Sequence, residues 1–495
     1  MVYTALPCPA RFLSSAVPSL PNPVRAGIRA VGLLLARIGW VGVRRAMRTA
    51  ELAWPRVVTG MARMSKATVD VAMVGLAVGP AAIAGVGVAT PFWTLAFMIG
   101  GGIAGATISL VARHYGAGHR AAVDRAVKGS AVLAVAVTLP LAVLFWAVPG
   151  PLIALVGPGD EAVRLGADYL RVIGWAMPFA ALSLVASRAL VGAGDARTPM
   201  AVRAGGALVN VALNGVLIFG LGMGVRGAAF GSLLSNAGVA AVFMWGFSKG
   251  HLPGLGTLPL KVAVHGAAPT RQTLRRLVRI GTPLAGANAV RGGGQFPLLA
   301  VVGLFGPQVV AAFVIALRVR DFLNTPGWGF GLASSSLAGQ ALGRRQAGRA
   351  DAYAHEVLRF AVVVYTIGAA AAFAGARPLA HLFTSEPAVI GLSVGLIRAA
   401  CVSAVFWGVL SASVGALRAG GDTRWPFYGN LLGLLAFALP LAYAGAVSVG
   451  GLPALGTSAL RGALVLEMAV PAAVAYGRFR TGRWRRRAPV RQAAG

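Results

Sequence analysis

The chain states its plan twice. Gly194-Asp195-Ala196-Arg197-Thr198-Pro199 returns 227 positions later as Gly421-Asp422-Thr423-Arg424-Trp425-Pro426. At the same interval Leu110–Gly116 (LVARHYG) returns as Leu337–Gly343 (LAGQALG); separately, Trp54-Pro55 ahead of one apolar run answers Thr282-Pro283 ahead of another. A duplication on this scale requires two equivalent folding units within one chain. Two like units facing each other are a common plan for machines that move a solute between them.

The repeated material is apolar. Of 495 residues, 57% are hydrophobic and 12% charged, with mean hydropathy +0.74; soluble domains carry about 25% charged residues. The apolar residues fall into runs of about 20, long enough to span a bilayer. Backbone amides in hydrocarbon must be satisfied within their own segment, so the runs are predicted to be helices. Twelve spans are predicted, at about 53–77, 80–111, 123–147, 164–190, 199–221, 227–247, 279–303, 308–340, 354–376, 388–416, 426–447 and 455–477. The expected fold is all-α: a polytopic membrane protein of two six-helix lobes related by a pseudo-twofold axis along the membrane normal. The 68 glycines suit close helix packing.

The net charge of +32 would suggest nucleic acid in a soluble protein. Here no nucleic-acid motif is present, and the arginines lie between apolar runs, where they orient the chain. One set of loops holds Arg113, Arg120, Arg125, Arg197, Arg344, Arg345, Arg349, Arg418 and Arg424; the other holds chiefly Asp160, Glu161, Arg377 and Glu386. Both basic tails fall with the first set. Both termini are therefore expected in the cytoplasm, with the chain in the plasma membrane and acting as a monomer. The expected organisation is a basic leader (1–50) that lies on lipid, a first lobe (51–247), a linker (248–276), a second lobe (277–478) and a basic tail (479–495). Cys8 and Cys401 imply no disulfide framework.

Charges inside the spans are the candidate functional groups, because a lone charge at the bilayer centre is costly. Arg63, Lys66 and Asp70 share one face of the first helix by their spacing of three and four. They form either a coupling site, with Asp70 as cation acceptor and Lys66 as its internal counter-ion, or a static ion pair. Asn210 and Asn214 lie four apart on one face and serve either as ligands or as interhelical hydrogen-bond donors. In the second half, Asp321, Arg318, Gln295 and Glu467 are candidate cavity groups; Arg318 and Asp321, three apart, are expected to pair, and Arg291 is expected beside Gln295. The repeated Gly-Asp-x-Arg-x-Pro turns read as caps, with Thr198 capping a helix that opens at Pro199. Pro91, Pro140, Pro178, Pro326 and Pro440 are expected to kink their spans.

Several segments carry a resemblance: Val69-Asp70-Val71-Ala72-Met73-Val74-Gly75, Tyr115-Gly116-Ala117-Gly118, the run Gly192–Pro199, the run Asn210–Gly220, and Gly227-Ala228-Ala229-Phe230-Gly231-Ser232. In their order across about residues 50–480 they resemble the multidrug and toxic compound extrusion (MATE) transporters. The resemblance implies twelve helices in two lobes and export of organic, often cationic, small molecules in exchange for Na⁺ or H⁺. It implies a cation site at Asp70, Asn210, Asn214 and Ser232, which would hold Na⁺ if the ion is a metal. Many members carry Asp where this chain has Asn214, and Lys66 is not part of the pattern; the missing negative charge favours H⁺. No other cofactor is expected. The alternative is a flippase for a lipid-linked saccharide or other anionic lipid, which needs several cations facing the cavity; Arg63, Lys66, Arg291 and Arg318 are available. An enzyme is not expected, since no nucleophile stands beside a base and no metal-ligand spacing occurs.

Overall fold

The structure, a computed structural model, describes residues 23–78, 80–154, 160–262, 267–383, 386–448 and 453–486. The first half runs α1 (Pro23–Arg37), α2 (Val43–Val78), α3 (Pro80–Gly116), α4 (Arg120–Ala147), α5 (Pro149–Ala154), α6 (Asp160–Ile173), α7 (Ala176–Gly192), α8 (Arg197–Asn214) and α9 (Gly224–Lys249). A two-stranded hairpin follows, β1 (His251–Leu252) antiparallel to β2 (Gly256–Thr257). The second half runs α10 (Arg271–Gly293), α11 (Gln295–Gly303), α12 (Pro307–Gly343), α13 (Ala347–Ala374), α14 (Ala376–His381), α15 (Pro387–Ala419), α16 (Arg424–Leu432), α17 (Leu439–Ala446), α18 (Gly456–Arg480) and α19 (Arg483–Arg486).

Each half crosses six times. The first uses α2, α3, α4, the pair α6–α7, α8 and α9; the second uses α10–α11, α12, α13, α15, α16–α17 and α18. Seven described helices are individually long and apolar enough to cross a bilayer, and α6–α7 adds an eighth as a span bent by 49°. That bend falls at residues 174–175, just ahead of Pro178, whereas α4 and α12 run on through Pro140 and Pro326. The fifth and eleventh passages share an irregularity: a π-helical turn at Gly215–Gly220 in one and at Gly433–Ala438 in the other. Such widened turns occur mostly as single insertions, often near functional sites.

The lobes meet at one end, the basic end, where α3, α7, α12 and α15 finish and α8, α10 and α13 begin. There α3 packs against α10 and α12. A Cβ at Gly116 would collide with the Gln340 carbonyl, and one at Gly343 with the Arg113 carbonyl. Ser336 Oγ donates to the Val191 carbonyl at 2.7 Å, and Gln340 Nε2 donates to the Gly192 carbonyl at 3.0 Å. Small residues permit this approach of main chain to main chain.

The described part of the expected leader, residues 23–50, is not a separate unit. α1 lies against α2 and α13, and α2 begins at Val43, so position 51 falls inside a continuous helix. Glu51 gathers Arg25, Arg29 and Arg197. Burial pushes its carboxyl up, but the Arg197 and Arg25 guanidiniums outweigh this and hold it below the usual carboxylate range. On the other lobe, Glu356 of α13 accepts from Arg45 at 2.6 Å, and Arg359 donates to the Trp40 carbonyl at 2.8 Å. Leu35, Val41, Ala46 and Ala50 join the second lobe's apolar core. The turn at Asp195 also differs from expectation. Asp195 Oδ1, rather than Thr198, accepts the free amides of Arg197 and Thr198 at 3.0 Å each.

Gly343→Ala places a methyl group where the Arg113 carbonyl lies. It should lower the thermal unfolding midpoint in detergent, at about the 1–3 kcal/mol cost of overpacking, while Gly348→Ala, which meets open space, should not.

Candidate functional site

Two polar regions interrupt the apolar interior. The first lies within the first lobe. Asn214, the last residue of α8, donates from Nδ2 to Asp70 Oδ1 of α2 at 2.8 Å. One turn earlier Asn210 donates to Ser232 Oγ at 3.3 Å and Ser235 Oγ at 3.2 Å, both on α9. Asn210 and Asn214 are fully buried, and the carbonyl oxygen of each has no hydrogen-bond donor. The packing is tight: a side chain at Gly231 would overlap the Asn214 carboxamide. Asp70, Asn210, Asn214 and Ser232 thus come together, joined by Ser235, which the sequence reading did not single out. The donor set is one carboxylate, two unused amide carbonyls and two hydroxyls, and hard monovalent cations favour oxygen ligands of this kind. The set therefore fits Na⁺, with Asp70, Asn210, Asn214 and Ser232 as the residues that would hold it.

The second region is a central cavity of about 340 Å³ between the lobes, within the size range of small-molecule sites. Its apolar wall includes Phe97, Met98, Leu284, Trp328 and Trp407. Ser235 also lines it, so one hydroxyl belongs to both the cavity wall and the Asp70 network.

Four arginines line the same cavity: Arg188 of α7, Arg203 of α8, Arg291 of α10 and Arg418 of α15. Each lobe contributes two. No Asp or Glu occurs among the described lining residues. Arg291 lies over the Trp407 ring at 4.6 Å from its centroid and donates to Asn288 Oδ1 at 2.9 Å. The charges of Arg203 and Arg418 both bear on Arg188, and that of Arg291 bears on Arg418. An arginine facing lipid at mid-membrane costs about 2.5–3.5 kcal/mol on insertion scales, so a group of four requires the wet space they line.

The wall above Trp407 contains a proline-bearing stretch of α12. Pro326 lacks an amide and interrupts the hydrogen bonding of α12. Beside it, side chains of two other helices bond the main chain of α12: Tyr365 Oη accepts from the Gly327 amide at 2.6 Å and donates to the Asn324 carbonyl at 3.0 Å, which also accepts from Trp407 Nε1 at 2.9 Å.

The second lobe's candidates are distributed differently from expectation. Arg318 and Asp321 do not pair; both are exposed, and neither lines the cavity. Asp321 shares a helix face with Thr325 and Trp328, of which only Trp328 lines the cavity. Glu467 is not a cavity group either. It is buried and accepts from Arg320 Nη1 at 2.6 Å, with Arg320 itself 2% exposed. The three-residue spacing of Arg318 and Asp321 suggested a local pair that is not made, and the partner of Glu467 lies 147 positions away in α12. Arg63, Lys66 and Gln295 belong to α2 and α11, but their side chains lie outside the described residues. Glu467→Gln leaves the buried Arg320 charge uncompensated. It should cost about 3–5 kcal/mol, read as a lower unfolding midpoint in detergent.

With this geometry the chain can be placed among known proteins. A model of the MatE family matches residues 55–216 and 283–444, one stretch in each half. The chain is 28% identical over 447 residues to a probable multidrug resistance protein NorM of Bradyrhizobium diazoefficiens, covering 85% of this chain and 92% of that protein. It is 27% identical over 403 residues to the multidrug resistance protein PmpM of Pseudomonas aeruginosa, covering 79% and 82%. A solved outward-facing conformation of a multidrug resistance MATE family transporter of the MOP superfamily superposes with a TM-score of 0.78 at 23% identity, over 88% of this chain and 95% of that one. The duplicated match, covering both lobes, shows that the chain belongs to the MatE family and is a multi-pass membrane transporter of the MATE type.

Proposed function

We propose that the protein exports small organic molecules in exchange for a monovalent cation, by alternating access of its two lobes to a shared central cavity. Relatives named as multidrug resistance proteins support export of organic compounds. The arginine-rich loops support a cytoplasmic basic end with both termini there; the interlobe contacts would then close the cavity toward the cytoplasm. Both lobes come from one chain, and a monomer suffices.

The observation that carries the coupling is the shared wall at Ser235, which lines the cavity and accepts from Asn210. Cation binding at Asp70 neutralises the carboxylate that holds Asn214, and Asn210 sits one helical turn away on the same face. The cation and the cargo then bias one conformational equilibrium through adjoining groups, which exchange requires. A proton needs only the Asp70 carboxylate. The two buried amide oxygens without donors favour the second choice, Na⁺, against the argument from the missing charge at Asn214.

Purified protein in liposomes, given a Na⁺ gradient or a pH gradient separately, decides both points. One gradient should drive counterflow of a fluorescent organic probe, and Asp70→Asn should reduce gradient-driven movement at least tenfold without lowering the amount of folded protein. Undiminished transport in that variant removes Asp70 from the mechanism. Drive by pH alone removes the Na⁺ reading.

A further inference from the structure

The cavity that this reading assigns to cargo has a charge of one sign. We propose that its cargo is an organic anion: a small amphiphile bearing a carboxylate, sulfonate or phosphate group on an aromatic or aliphatic body. The inference rests on the transport reading above and replaces the cationic cargo that the resemblance implies.

Three observations carry it. The described lining holds four arginines and no carboxylate. A cationic cargo would meet four like charges with nothing in the wall to oppose them, whereas an anionic one supplies what the wall lacks. Two of these arginines, Arg188 and Arg418, are also not held by other side chains among the described residues. Arg188 makes no hydrogen bond or ion pair among the described residues, and the Nε of Arg418 is buried without an acceptor. Elsewhere in the lobe interior Arg320 pairs with Glu467 and Arg478 with Asp422 at 2.7 Å, whereas Arg188 and Arg418 have no such carboxylate partner among the described residues. Finally, the four come two from each lobe. A guanidinium presents a planar fork of donors that matches carboxylate, sulfonate or phosphate oxygens, so one anionic group can be held by both lobes at once. The rest of the wall suits an organic body, with Trp407, Trp328 and Phe97 as flat surfaces and Asn288, Asn430 and Ser411 as polar contacts.

The sign of the cargo sets the sign of the voltage response. Export of a monoanion against one entering cation moves two positive charges inward, so an interior-negative potential speeds it. Exchange of a monovalent organic cation against one such ion moves no net charge.

The test uses full-length protein in liposomes, under whichever of the Na⁺ and pH gradients drives movement. Three probes are followed: a soluble fluorescein carboxylate, a fluorescent phospholipid with an anionic headgroup, and an ethidium-type organic cation. The soluble anion, the anionic lipid or both should move, faster with the interior negative. Movement of the soluble probe alone assigns a free organic anion; movement of the lipid alone assigns a headgroup. Equilibrium dialysis of the anionic dye against detergent-purified protein gives affinity independently of transport. Arg188→Gln and Arg418→Gln should each weaken dye binding about tenfold, and Arg188→Lys and Arg418→Lys, which keep the charge, should restore much of it. Movement of the cation probe without either anion, or anion binding unchanged in both Gln variants, overturns the anionic cargo while leaving coupled transport standing. Failure of all three probes to move under either gradient overturns the transport reading itself.

Discussion

A charge cannot remain in hydrocarbon without a partner or water, and this constraint sorts the charged groups of the protein. Arg320 and Glu467 solve it by pairing inside a lobe, and Arg478 and Asp422 do the same near its end. Glu51 and Glu356 solve it at the basic end, where each collects cations from the leader. Arg188, Arg203, Arg291 and Arg418 solve it together by lining one shared cavity. Buried ion pairs add little net stability over an apolar packing, yet losing one partner is severe. The paired charges therefore fix how the helices within a lobe are arranged. The cavity arginines leave the arrangement of the lobes adjustable, because water or a bound anion can satisfy them in more than one geometry.

The architecture was legible in the sequence because the signals that specify it are long. Runs of apolar residues and a repeated hexapeptide survive any local ambiguity, and the structure shows the two sets of six passages they imply. Asn210 and Asn214 were legible as a pair because helical neighbours are fixed by periodicity. Their partners were not: that Asn214 meets Asp70 depends on how α8 packs on α2, which only the family resemblance suggested. Arg188, Arg203 and Arg320 were missed for the same reason, since an isolated arginine in an apolar run has no sequence neighbour to explain it. The expected Arg318–Asp321 pair shows the converse error, in which convenient spacing on one helix stood in for a contact made across two.

Pro326 illustrates how a local defect becomes part of the cavity wall. Beside this proline, buried main-chain groups of α12 that went without a partner would be penalised by about 1–3 kcal/mol each. Tyr365 and Trp407 answer them, and Trp407 also presents its face to Arg291. The aromatic ring under the guanidinium is thus oriented by the backbone of a different helix, so the position of a cavity cation and the continuity of α12 are mechanically connected.

The leader has a similar double attachment on a larger scale. Its chain runs into α2 of the first lobe, while Arg45 and Trp40 are held by Glu356 and Arg359 of the second. It therefore straddles the seam at the end where the main chains meet. Under the proposed alternating access, a motion that draws α3 from α12 would either peel this strap off α13 or drag it along, so part of the resistance to parting the lobes at this end would reside in a segment away from the cavity lining. Loss of this segment would remove contacts to the second lobe while leaving every cavity-lining residue in place.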